Sequence, residues 1–118
     1  MKKLRLYFET TMFNYFFDTE RDGHADTVRM FEPDDETNRL AGLYVSEGIV
    51  PAKYRLDSTH IACASVNGLD GVLSFNFQHI NKLRTKEMTA LVNLREGYKN
   101  MIICTPMEVL ENEETEHD

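Results

Sequence analysis

Nowhere does this chain string together enough apolar residues to cross a bilayer. Charged or polar side chains interrupt every apolar stretch, including the one after the opening Met1-Lys2-Lys3-Leu4-Arg5. Neither a membrane span nor a secretory leader is therefore expected. Cysteine is almost absent. Cys63 and Cys104 each stand inside an apolar stretch with no CxxC or histidine spacing, so both are expected as buried free thiols of a reducing, cytoplasmic protein. Cations are scarce too: 13 Lys and Arg against 20 Asp and Glu leave a net charge of −7. That balance argues against a broad basic surface gripping nucleic acid nonspecifically, while leaving room for a local basic face. Much of the excess acid sits in the run Glu111-Asn112-Glu113-Glu114-Thr115-Glu116-His117-Asp118. Residues 111–118 are expected as a solvated, disordered tail, with the body at 1–110 closer to neutral. Repeats and other low-complexity segments are absent.

What is present fits one domain. With 118 residues, 42% of them hydrophobic, the chain can bury a real core with little to spare. Strands are expected near 3–8, 71–75 and 101–104. The second of these is apolar on both faces, as in a buried parallel strand. Short helices are expected around Met12–Phe17 and Val28–Phe31. An amphipathic helix follows over about 36–47, with Leu40, Leu43 and Tyr44 on one face and Gly48 as its stop. A further helix over about 53–66 carries Asp57 and the small residues Ala62, Cys63 and Ala64. The last, over about 85–96, is expected to bury Met88, Leu91, Val92 and Leu94, and a terminal turn carries Val109 and Leu110. Strand, helices, strand, helix, strand in this order is an α/β pattern with a parallel sheet.

Three polar groups fall where such a fold gathers ligands, at strand ends and helix starts. Glu9 follows Leu4-Arg5-Leu6-Tyr7-Phe8. Asp57 opens Leu56-Asp57-Ser58-Thr59-His60-Ile61-Ala62. Asn76 follows Gly71-Val72-Leu73-Ser74-Phe75. With Leu6–Thr11, Gly48–Ala62 and Ser74–Ile80, extended by Asn93–Tyr98 and Thr105–Glu108, most of the chain resembles a PIN domain of the VapC-type toxin ribonucleases. The resemblance implies a three-layer α/β/α fold and a Mg²⁺- or Mn²⁺-dependent endoribonuclease of toxin–antitoxin type. Glu9, Asp57 and Asn76 would then be its metal-binding and catalytic residues, and RNA and an antitoxin protein its partners. Thr10 or Thr11 would hold a metal-bound water or orient Glu9, and Lys82 and Arg84, with Lys86, would meet the RNA backbone.

Two departures qualify that likeness. The family's first aspartate is Glu9 here, one methylene longer. Between Phe31 and Glu36, where the family has another strand and helix bringing another metal-binding Glu, only Glu32-Pro33-Asp34-Asp35 remains. A unit on the order of thirty residues is missing, and Asp34, Asp35 and Glu36 do not stand at the family position. The alternative is therefore an inactive, degenerate PIN domain that survives as a binding or structural module. The loss should uncover sheet edge and the apolar groups Met12, Phe13, Phe16, Phe17, Leu40 and Leu43, so a homo-oligomer is expected.

Each residue also has a plainer role. Asp57 as a helix cap or dipole partner contributes about 1 kcal/mol. Glu9 alone reads as a solvated strand end, Asn76 as a turn residue and His60 as a packed or hydrogen-bonded histidine. Phe13, Tyr15, Phe16 and Phe17 suit core or dimer packing better than base stacking, and Lys82, Arg84 and Lys86 equally suit a solvated helix start.

Overall fold

The computed structural model describes residues 5–8, 31–74, 82–105 and 107–108. Within them the order is β1 (Leu6–Phe8), α1 (Asp35–Ser46), a 3-10 turn (Ala52–Tyr54), α2 (Arg55–Val66), β2 (Gly71–Leu73), α3 (Leu83–Arg95) and β3 (Ile102–Cys104). The three strands form one parallel sheet in the order β1-β2-β3. The helices expected at 12–17 and 28–31 lie largely or wholly outside the described residues, as do Val109, Leu110 and the acidic run 111–118. No described helix is long and apolar enough to cross a membrane.

Local chemistry explains where the helices begin and end. Asp34 caps α1, its carboxylate accepting from the Thr37 amide at 2.8 Å and the Thr37 hydroxyl at 2.7 Å, which satisfies a backbone donor the helix leaves unpaired. All three helices stop in the same way. After α1, the Gly48 amide donates to the Val45 carbonyl at 3.0 Å and the Ile49 amide to Tyr44 at 2.9 Å. Gly48 takes φ 76°, a left-handed conformation in which a Cβ would be strained. Gly68 and Gly97 repeat the arrangement after α2 and α3, with Leu69 donating to Ala64 and Tyr98 to Asn93. At the far end of β3, the Glu108 carboxylate accepts from the Thr105 amide at 3.0 Å while the Glu108 amide donates to the Thr105 carbonyl, the glutamate half of a capping box.

Register sorts the sheet into two faces. Tyr7, Val72 and Ile103 stand side by side, flanked by the rows Leu6-Gly71-Ile102 and Phe8-Leu73-Cys104. The middle row packs with Leu40, Ala41 and Tyr44 of α1, Ile61, Ala62 and Ala64 of α2 and Val92 of α3. All three described helices thus feed one core. The outer rows belong to the other face, where Leu73 and Cys104 are buried with Phe8 beside them, while Leu6 and Ile102 remain exposed. Gly71 is required by close approach: a Cβ there would stand 3.1 Å from the Ile102 carbonyl oxygen and 3.2 Å from Leu6. Both cysteines are buried and free, and burial pushes the Cys104 thiol up to about 11.

Two expectations about burial are corrected. Leu40 does not seek a partner: it is fully buried, and Leu43 packs against the same core. In α3 the expected burial holds in part: Val92 is buried and Met88 packs against the core, but the two leucines do not. Leu91 and Leu94 are 64% and 75% exposed, whereas Thr85, Thr89, Val92 and Asn93 are buried. The cause is a buried polar knot. The Tyr44 hydroxyl donates to Asn93 Oδ1, Asn93 Nδ2 donates to Ser65 Oγ at 2.9 Å, and Ser65 donates onward to the Ile61 carbonyl at 2.9 Å. Asn93 must point inward to complete this set, and helical periodicity then carries Leu91 and Leu94 outward. Burial pushes the Tyr44 hydroxyl up to about 12, so it remains a donor.

Charge ties α1 to α3 at the surface. Arg39 pairs with Glu36 at 2.8 Å and Glu96 at 2.9 Å, Arg95 bonds Glu47 at 3.0 Å, and the Tyr98 hydroxyl donates to Glu36. The hydrogen bonds from Arg39 and then Tyr98 hold the Glu36 carboxyl down at about 2, from 4.5. A carboxyl with a lowered folded value adds stability above its unfolded value and loses it as protons bind. Stability should therefore be flat above about pH 5 and fall between pH 4.5 and 2. Urea midpoints across that range would show it, and Glu36→Gln should flatten part of the slope.

Candidate functional site

Asp57 lies in the first turn of α2 and is only 6% exposed. It is not the cap: Tyr54 occupies that position and makes no side-chain capping bond. The sequence around it fixes its place. Pro51 leads into the 3-10 turn, closed by the Tyr54 amide on the Pro51 carbonyl at 2.9 Å. The next residue, Ser58, is fully buried and donates to the Ala41 carbonyl at 2.8 Å, seating the start of α2 on α1. His60 then meets β1, its Nδ1 standing 2.8 Å from the Tyr7 hydroxyl with the two rings tilted at 44°.

These contacts orient the helix on the sheet. Arg5 touches the Gly68 carbonyl beyond the end of α2, and Tyr7, two residues on, meets His60. The helix therefore runs antiparallel to β1. Asp57, one turn before His60, lies toward the carboxyl end of the strand, and its carboxylate faces the favourable positive end of the helix dipole. The carboxyl ends of the three strands are level, with Phe8, Leu73 and Cys104 in register. Ser74, just past β2, is 1% exposed.

Of the residues singled out in the sequence, Glu9, Thr10, Thr11 and Asn76 lie outside the described residues. Lys82 precedes α3 without a side-chain capping bond and is exposed, as is Arg84 in the first turn. Lys86 lies 3.4 Å from Glu108. Asp34 is committed to capping α1, and Glu36 to Arg39 and Tyr98. Among the described residues no three His, Cys, Asp or Glu side chains converge as a metal-binding group. Tyr7 was the partner that sequence reasoning missed. The one signal for it was its position in the strand alternation, inward between Leu6 and Phe8. No family model, curated protein or solved structure matches the chain.

Proposed function

We propose that the chain is a PIN-like domain, reduced by one strand–helix unit from a three-layer fold, that hydrolyses RNA weakly with Mg²⁺ or Mn²⁺. Its partners are RNA and an antitoxin protein. The observation that supports this reading is Asp57, a carboxylate withdrawn from solvent in a helix first turn toward the carboxyl end of β1, the end from which parallel sheets present their ligands. Glu9 follows Phe8 directly in the chain, and Asn76 comes three residues after Leu73. All three would offer oxygen donors, the chemistry that hard divalent cations take. Such a cation, when bound, supplies polarisation of the phosphate and activation of a water. On this reading Glu9 and Asp57 would supply the charged donors and the Asn76 amide oxygen a neutral third. Thr10 or Thr11 would then orient Glu9, and exposed Lys82 and Arg84 would attract the RNA backbone.

A second reading, an inactive PIN relic serving as a binding module, is favoured by the fate of the nearby acids. Asp34 and Glu36 are tied up in structural bonds, so neither stands in for the Glu lost with the missing unit. Thermal melts of wild type and Asp57→Asn, each with and without millimolar Mn²⁺, separate the two. At tenfold excess over Kd a bound ion adds about 1.4 kcal/mol, or about 5 °C. The ribonuclease reading expects that rise in wild type only. Cooperative melts indifferent to Mn²⁺ in both proteins would select the relic.

A further inference from the structure

Asn67-Gly68 is the one asparagine–glycine pair in the chain, and it forms the stop of α2. Without a Cβ on the glycine, its nitrogen reaches the neighbouring side-chain amide unhindered. A bond then forms between the Gly68 nitrogen and Asn67 Cγ. The Gly68 nitrogen gives up its proton, and the asparagine side-chain nitrogen leaves as ammonia. Water opens the resulting cyclic imide at either carbonyl, leaving aspartate or isoaspartate. Water enters and ammonia departs, so the step needs no oxidant and no further reactant.

The fold holds each reacting atom back. Asn67 is exposed, yet its Nδ2 donates to the Cys63 carbonyl at 2.8 Å and stands 3.7 Å from Cys63 Sγ. The Gly68 amide donates to the Ser65 carbonyl at 3.1 Å, which retains its proton. At Asn67 ψ is 5°, so the Gly68 nitrogen eclipses the nitrogen of Asn67 itself, whereas ring closure needs it eclipsed with Cβ. Gly68 is held in turn at φ 66°, and the Arg5 guanidinium donates to its carbonyl. We propose that Asn67 is a deamidation site gated by the α2 stop, slow while the stop is closed and reactive when it opens. The product cannot restore the stop. A carboxylate at this position has no N–H for the Cys63 carbonyl, and its charge lies at the negative end of the α2 dipole. Isoaspartate also lengthens the main chain just before Leu69 and Asp70, which join α2 to the sheet. Each event thus leaves a permanent record of time spent open. The inference is independent of the ribonuclease reading, because it involves neither metal nor RNA.

The test is isoaspartate formation in the full chain in mildly alkaline buffer, with and without denaturing urea. An isoaspartyl methyltransferase with labelled S-adenosylmethionine counts the product, and mass spectrometry of the peptide spanning Asn67 locates it. Folded wild type should gain isoaspartate at Asn67, about tenfold or more below the rate of the unfolded chain. Arg5→Ala keeps the reacting pair but frees the Gly68 carbonyl, and should quicken the folded-state rate about fivefold. Amide exchange at Gly68 and Leu69 should quicken with it while Ile61 keeps its protection, which separates local opening from unfolding. Asn67→Gln should nearly abolish the modification, because its longer side chain closes the ring poorly. Equal rates in folded and unfolded chains would overturn the proposal, as would a folded protein that never gains isoaspartate at Asn67. So would an Arg5→Ala protein that modifies no faster than wild type.

Discussion

Asn93→Ala is expected to destabilise the protein by about 3 kcal/mol, a large share of the stability of a small domain. Asn93 is fully buried and completes the hydrogen bonds of two other buried groups. Its truncation strands the Tyr44 hydroxyl, which is left 3.3 Å from Ser65 Oγ as its remaining neighbour. An unpaired buried polar group costs about 1–3 kcal/mol, and the cavity adds to that. Tyr44→Phe removes a donor while filling nearly the same volume and should cost about half as much. Urea unfolding of the two variants and the double variant measures the coupling. Equal, additive losses would mean that the three groups do not act as one network.

Asp70→Ala is expected to cost about 2 kcal/mol, and to act on the sheet rather than on the helices. Asp70 clasps the amino ends of all three strands. Its carboxylate accepts from the Arg5 amide at 2.8 Å and pairs with Lys99 at 2.7 Å, while its own amide donates to the Arg5 carbonyl at 2.7 Å. Its carbonyl accepts from the Ile102 amide at 3.0 Å. The alanine variant keeps the backbone bonds but unpairs the Arg5 amide and the Lys99 ammonium, and hydrogen bonds to charged groups are worth about 1.5–3 kcal/mol. Amide exchange should therefore quicken first in β1 and β3 while α1 and α2 keep their protection. Uniform loss of protection across sheet and helices would show that Asp70 acts only through global stability.

Much of this architecture was legible in the sequence because it rests on local chemistry. The strands fall within the stretches expected near 3–8, 71–75 and 101–104, shortened to three residues each. β2 is buried on both faces, as its unbroken apolar run implied. Gly48, Gly68 and Gly97 ended helices where a left-handed residue was needed. Helix starts were less sharp: the expected start at about 53 resolves into a 3-10 turn followed by α2 from Arg55, and α3 begins at Leu83 rather than Thr85. Of the candidate site, the sequence marked Asp57 but not the Tyr7–His60 bond that helps seat its helix. Residues 53 apart in the chain meet only once the helix lies on the sheet.

The sequence by itself determined the order of elements, the parallel α/β class and the stops of the helices. Each follows from residues within a turn or two of one another. Tertiary structure alone decided which face of α3 looks inward. Counting apolar side chains favours Leu91 and Leu94, yet Asn93 is buried and they are exposed. Tyr44 and Ser65, from two other helices, present polar atoms that Asn93 pairs, its Oδ1 accepting from the one and its Nδ2 donating to the other. A buried donor left unpaired costs free energy comparable to that gained by burying a leucine. One satisfied network, with Val92 packing beside it, is enough to turn the helix and leave Leu91 and Leu94 exposed.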